Sequence, residues 1–206
     1  MNVAVLVPVK AFTQAKQRLT DVLSPDDRRR LARTLADGVL AAAGEVPAFV
    51  VCDDDEVRDW ASSRGAHPLW TAELGLNGAV DDGVRSVAAM GFDHVIVSHA
   101  DLPLPSSLTH VARLGAATFV PDCRCDGTNV MSFPLDRPVS ASYGPGSFTR
   151  HRDAATAAGL CVEIRVDGHL ALDIDTASDL THPLLREVLP TWLPTIPVNP
   201  FTHGYT

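Results

Sequence analysis

The chain has 206 residues, 46% of them hydrophobic and 20% charged, with 17 Lys and Arg against 25 Asp and Glu and a formal net charge of -8. That length buries a substantial core, and the composition is that of a folded globular protein rather than a disordered or fibrous one. The acidic balance argues against a nucleic-acid partner, whose phosphates demand clustered Lys and Arg, and no segment reaches the length of a membrane span.

Val3 to Val9 (VAVLVPV) is an apolar, largely β-branched run that reads as a strand covered on both faces. Met1 therefore leads into a core strand rather than a signal peptide, and a cytoplasmic protein is expected. Lys10, Lys16 and Arg18 follow just past the carboxyl end of that strand, where open α/β sheets bind ligands. Three cations there suit a triphosphate, with Arg18 able to grip an oxygen pair through its planar fork. An ordinary surface role explains Lys16 and Arg18 equally well. Neither a G-x-x-x-x-G-K-[ST] nor a G-x-G-x-x-G pattern is present, so a P-loop or dinucleotide enzyme is not supported.

Ser24 is placed to cap a helix with Pro25 at its first position and Asp26 and Asp27 in its first turn. Leu31, Leu35 and Val39 recur on one face, and Gly44 ends it. Arg28, Arg29, Arg30 and Arg33 read as its solvated face. Ala48 to Cys52 is a second strand, followed by a helix to Arg64, a short strand at His67 to Trp70, and a helix marked by Val80, Val84 and Val87. Asn77 and Gly78 precede that helix; they offer an amide and backbone groups to a nucleobase edge, or Asn77 is its N-cap.

His94 to Ser98 is another core strand, running directly into Asp101. A carboxylate at that edge can hold a hard divalent cation through oxygen. The alternative, a cap for a helix starting near Pro105, is better served by Pro105 and Ser106. Thr118 to Pro121 and Val130 to Phe133 are two strands around the loop 122–129, and Leu160 to Val166 is a late strand. The loops DGTNVM (Asp126 to Met131) and YGPGSFTRH (Tyr143 to His151) combine glycines that permit close backbone approach with the hydroxyls of Thr128 and Ser147. Ser147 also opens a helix whose amides can face an anion, so the pair suggests a second anion site.

In LALDIDT, Leu170 to Ile174 is expected to form a further strand ahead of a last helix near Ala177. Asp173 and Asp175 would then face one side and meet one cation, unless one of them caps that helix. From Pro190 the prolines at 194, 197 and 200 exclude regular structure, giving one domain over 1–189 and an extended tail over 190–206. Cys52, Cys123, Cys125 and Cys161 read as reduced thiols without a zinc site, and none of the eight His has a partner at ligand or triad spacing. The regular alternation of strands and helices reads as βαβ units.

Taken together and in this order, VPVKAFTQAKQRL, LSPDDRRRLA, GLNGAVDDGV, SHADLPL, DGTNVM, YGPGSF and LALDIDT resemble the guanylyltransferases of the deazaflavin coenzyme pathway. The resemblance runs to about Leu189. It implies a mixed, mostly parallel α/β sheet flanked by helices, the nucleotidyltransferase fold related to nucleotide-sugar pyrophosphorylases. The reaction it implies transfers GMP from GTP to phosphoenolpyruvate or 2-phospho-L-lactate, releasing pyrophosphate. Thr128, Gly144 and Ser147 match positions that bind the acceptor; Asp101, Asp173 and Asp175 match magnesium-binding carboxylates. Lys10, Lys16 and Arg18, with Asn77 and Gly78, match segments facing GTP, and Lys16, Arg18 and Asp101 are the residues expected to carry catalysis. Tyr143 stands where the family leads one to expect Phe.

The implied partners are GTP and a small phosphorylated carboxylic acid, with a homodimer permitted and the product handed to the next enzyme. Bringing two polyanions together in an acidic protein costs about 4 kcal/mol per unit-charge pair at 4 Å and an effective dielectric of 20, so Mg2+ is the expected cofactor. No general base is required, because the attacking phosphate is already ionised. A sugar-phosphate nucleotidyltransferase and a non-catalytic nucleotide-binding subunit are the other readings.

Overall fold

The computed structural model describes residues 2–72, 74–185 and 188–194. Strands β1 (Val3–Pro8), β2 (Ala48–Cys52), β3 (His67–Trp70), β4 (His94–Ser98), β5 (Ala116–Pro121), β6 (Thr128–Pro134) and β7 (Cys161–Ile164) join in one sheet, ordered β3-β2-β1-β4-β6-β5-β7. All run parallel except β6, which is antiparallel to both neighbours. Helices α1 (Pro25–Ala42) and α2 (Asp55–Ser63) cover one face, and α3 (Gly75–Ala89) and α4 (Ser147–Ala157) cover the other.

The unbroken apolar character of β1 follows from this sandwiching. Val5 and Val7 pack towards α1 and α2, while Ala4 and Leu6 pack towards α3. Helix starts are where the capping residues place them: the Ser24 hydroxyl accepts from the Asp27 amide at 3.1 Å, and the Asp54 carboxylate accepts from the Val57 amide at 3.0 Å. Gly83 lets α3 lie close on the sheet, since a Cβ there would stand 2.6 Å from Val51 Cγ2.

From β1 the chain builds β2 and β3 on one side, then returns to place β4 on the other. The carboxyl ends of β1 and β4 therefore part at a topological switch point, the crevice where α/β sheets take ligands. Because β6 is reversed, its first residue, Thr128, comes to the same edge.

Three expectations need correction. The segment 170–175 is not a strand: it pairs with no neighbour, and its Leu172 and Ile174 side chains sink instead into a cluster with Leu19, Leu31, Leu35 and Leu180. Alternation survives without a ladder, so Asp173 and Asp175 still stand on the opposite side from the buried leucine and isoleucine. No α-helix begins at Ala177; only short 3-10 turns form, at Asp179–Thr181 and Pro183–Leu185. The basic run on α1 is not uniformly solvated, because Arg28 is buried and donates to the Gln17 side chain at 3.1 Å. Arg30 meanwhile lies 4.3 Å over the Trp192 ring. That contact, with Leu193 packed on the same cluster, ties the first tail residues to the body; the remainder, 195–206, lies outside the described residues. Among the described residues no helix is long and apolar enough to cross a membrane.

Candidate active site

Three cavities run side by side along the switch-point edge. The first, about 60 Å³, lies between the ends of β1 and β2 and the start of α3, lined by Val9, Lys10, Cys52, Thr71 and Gly75. The second, about 230 Å³, holds Lys10, Lys16, Asp101 and His99. The third, about 370 Å³, is lined by Arg18, Arg124, Thr128, Gly144, Ser147 and Asp173 among others. Leu76 lines all three, and His99 and Asp175 border both the second and the third, so they form one trough.

Lys16 is not an ordinary surface lysine. Its backbone is left-handed at φ 56°, a conformation that costs a non-glycine residue on the order of 1–3 kcal/mol and persists only where the surroundings fix it. What fixes it is the ammonium, only 7% exposed, which donates to Asp101 Oδ2 at 2.8 Å and to the Ile174 carbonyl. One side chain thus joins the loop after β1, the end of β4 and the LALDIDT segment. Burial alone would raise the Asp101 pKa, but the Lys16 ammonium beside it, helped by His99, holds it below the usual carboxylate range. Its second oxygen, Oδ1, is buried with no hydrogen-bond partner.

Asp173 behaves in the opposite way. Burial, then the neighbouring charges of Asp101 and Asp179, push its pKa up to about 7. A carboxylate this resistant to ionisation marks a place short of positive charge. Asp175 is turned to Arg18, whose Nη1 donates to its Oδ2 at 2.6 Å. Among the described residues no three His, Cys, Asp or Glu side chains converge into a metal cage of their own. The anticipated shared cage of Asp101, Asp173 and Asp175 is therefore not preassembled. Nor does Asp173 or Asp175 cap the segment that follows: the Asp179 carboxylate accepts from the amides of Asp175 and Thr176, at 3.0 and 2.6 Å.

The two glycine-containing loops are built as one unit. Asp126 accepts from the Gly146 amide at 3.0 Å through its side chain and from the Phe148 amide at 3.0 Å through its carbonyl. Arg150 donates to the carbonyls of Ser142, Gly144 and Pro145, drawing those oxygens onto its guanidinium. Gly144 (φ +118°) and Gly146 (φ +72°) need the freedom of glycine to make this turn into α4. Thr128, Gly144 and Ser147 are thereby brought to one wall of the third cavity.

Asn77 and Gly78 are elsewhere. Helix α3 begins at Gly75, three residues earlier than Asn77 needs in order to cap it, so both residues lie in the first turn. Neither lines the trough. The Asn77 side chain accepts from the Tyr143 amide at 2.7 Å and donates to the Tyr143 carbonyl at 3.4 Å, so it steadies the acceptor-side loop rather than facing a base.

Four further residues belong to the site although no motif role singles them out: His99, Arg124, His151 and Asp126. His151 was the most legible of them, a histidine among Phe148 and Ala155 on the buried face of α4. The Tyr143 ring packs edge-on between His99 and His151, with centroids 4.8 and 4.9 Å away.

The family model "Guanylyl transferase CofC like" matches residues 3–187. A phosphoenolpyruvate guanylyltransferase from Sphaerobacter thermophilus is 36% identical over 191 residues, covering 87% of this chain and 91% of that protein. A 2-phospho-L-lactate guanylyltransferase from Methanothermobacter thermautotrophicus is 33% identical, covering 90% and 86%. Among solved structures, a nucleotide-diphospho-sugar transferase from Desulfovibrio desulfuricans G20 superposes with a TM-score of 0.74 at 17% identity, covering 90% of this chain and 88% of that one. That likeness is one of fold, and the mixed, mostly parallel sheet flanked by helices is the nucleotidyltransferase fold expected from the sequence.

Proposed function

Because this chain belongs to the CofC-like guanylyl transferase family, we propose that it transfers GMP from GTP to phosphoenolpyruvate or 2-phospho-L-lactate, releasing pyrophosphate, in deazaflavin coenzyme biosynthesis. The observation that carries this reading is the trough itself. A narrow slot beside β1 and β2 opens into a cavity with two lysines, and that cavity meets a larger one with arginines and hydroxyls. Base, triphosphate and acceptor fit in that order. Two charged metabolites of this kind support a cytoplasmic reaction.

The third cavity of the trough is lined by Asp122, Asp126, Asp173, Asp175 and Asp179 against Arg18 and Arg124. Such a surface repels a phosphorylated acid unless positive charge is added. The unpartnered Oδ1 of Asp101 and the reluctantly ionised Asp173 fit a hard cation, and Mg2+ is commonly held by one or two carboxylates with substrate phosphates completing its shell. Asp101 and Asp173 would hold it, with Asp175 joining when Arg18 turns to an incoming anion. The ion would offset charge on the reacting phosphates and polarise their oxygens.

This chain's own residues do the rest. Lys10 and Lys16 bind the triphosphate. Arg18 and Arg124 draw in the acceptor, and Thr128, Gly144 and Ser147 orient it. An ionised phosphate oxygen of the acceptor forms a bond to the α-phosphorus of GTP as the bond to pyrophosphate breaks. No proton need be removed, and burial keeps both His99 and His151 below the usual histidine pKa, as neutral groups rather than acids. Pyrophosphate release, followed with GTP and Mg2+ against phosphoenolpyruvate, 2-phospho-L-lactate and 3-phosphoglycerate, tests the assignment. Release with phosphoenolpyruvate or 2-phospho-L-lactate is expected; silence with both rejects it.

A further inference from the structure

His151 is wholly buried on the inner face of α4, and its two ring nitrogens have different partners. The Ser142 amide lies 2.8 Å from Nε2. A backbone amide can only donate, so Nε2 must present a lone pair. A neutral imidazole carries one proton, which must then sit on Nδ1. Nδ1 is 3.0 Å from Thr128 Oγ1, so the ring donates to the threonine hydroxyl. Phe119 lies parallel to the ring, and Tyr143 meets it edge-on, which fixes its plane. Burial, with Arg150 and His99 nearby, lowers its pKa to about 4 and keeps it neutral.

The consequence falls on Thr128. Its hydroxyl has no other hydrogen-bond partner among the described residues, yet it lines the third cavity of the trough. With one lone pair engaged by Nδ1–H, its proton is left for the cavity. The Gly144 amide, likewise without a partner among the described residues, lines the same wall. The Arg150 guanidinium has taken the carbonyls of that loop, so the wall presents donors.

We infer that His151 is the positioning residue for acceptor recognition: its tautomer engages the Thr128 hydroxyl as an acceptor and so leaves the hydroxyl proton to donate to an oxyanion of the acceptor. The inference rests on the reading of this cavity as the acceptor site. It explains why the wall favours a carboxylate or phosphate oxygen over a group that must itself donate, which would face donor against donor. His151 does not touch the reacting atoms; it acts through Thr128 and through the Ser142 amide.

Two measurements test this. In the wild-type protein with 15N-labelled histidine, long-range 1H–15N spectra at pH 7 should show His151 protonated on Nδ1. An Nε2-protonated ring or an imidazolium would overturn the inference whether or not the protein turns over substrate. In kinetics, Thr128→Val and His151→Phe should each raise the acceptor KM roughly tenfold, the scale of one hydrogen bond to a charged group, with the KM for GTP unmoved. The double variant should be no worse than either single one, and Thr128→Ser should recover most of the loss. Additive losses, or a GTP KM that moves equally, would mean that His151 is merely structural. If the wild type turns over no three-carbon phospho-acid, the guanylyl-transfer reading fails by itself, and the spectra still decide the tautomer.

Discussion

Lys16 reaches Asp101 across 85 residues of sequence, and the contact of 2.8 Å is made by a lysine whose own backbone is left-handed. The lysine is nearly closed to solvent, and the second Asp101 oxygen is buried without a hydrogen-bond partner. Charge and strain are separable at this position. Lys16→Gly relieves the backbone and Lys16→Ala does not, so the glycine variant should be the more stable by about 1 kcal/mol. Both should lose at least about 100-fold in kcat/KM, since neither supplies the ammonium. Urea titration and steady-state rates of the two variants check this; equal activity in the glycine variant would remove Lys16 from the chemistry.

Asp173 is held against its preference. With its pKa near 7 rather than the usual carboxylate value, the folded state binds the proton that the unfolded state has lost. The contribution of Asp173 to stability should therefore decline as pH rises between those two values, and be lowest above about pH 7. Asp173→Asn should stabilise the metal-free protein at pH 8 by at least about 1 kcal/mol while abolishing turnover. Thermal unfolding in chelator measures the first effect. An asparagine variant less stable than wild type at pH 8 would show that the carboxylate is not strained by its neighbours.

Arg18 and Asp175 make a contrasting pair. The guanidinium is 73% exposed, so the ion pair should contribute under about 0.5 kcal/mol to stability. Arg18→Ala should leave the denaturation midpoint unchanged and raise the acceptor KM by roughly tenfold. A shift in stability without a change in KM would assign Arg18 to the scaffold.

Asn77 separates the two readings of its segment. In the structure it grips Tyr143, next to Gly144, and lies outside the trough. Asn77→Ala should raise the acceptor KM and leave GTP binding as it is. A selective loss of GTP affinity would restore the base-facing role that the sequence motif suggests.

His151 carries a stability signature of its own. Its lowered pKa of about 4, against about 6.5 when unfolded, means that the unfolded chain takes up the proton first. Stability is complete above the unfolded value and is lost as pH falls below it, by about 2 kcal/mol between pH 7 and pH 5. Arg150, His99 and Tyr143 face this ring. His151→Phe should lack that component when urea midpoints of the two proteins are compared at both pH values; parallel behaviour would place the ring in contact with water.

The parts legible in the sequence are those fixed by contiguous patterns. The apolar runs of β1, β2 and β4 and the capping residue Ser24 each declare themselves within a few residues. Lys16 and Asp101 each follow the carboxyl end of such a run, which brings both to one edge of the sheet. What the pattern could not give was the partner of an alternating segment. Leu172 and Ile174 alternate with Asp173 and Asp175 as a strand would, but a leucine cluster rather than a neighbouring strand accepts them. The role of Asn77 depended on whether α3 opens before or after it, which Gly75 decides through its positive φ. His151 and Thr128 are 23 residues apart, and only the fold makes them neighbours.

The central claim is that a nucleoside triphosphate and a phosphorylated acid react across the junction guarded by Lys16, Asp101 and Asp173. Phosphorus NMR of GTP and phosphoenolpyruvate incubated with the protein and Mg2+ observes the bond directly. The account predicts a pair of coupled phosphoanhydride signals appearing together with free pyrophosphate, both absent with Asp101→Asn. GDP and inorganic phosphate in their place, or an unchanged GTP spectrum, would contradict it.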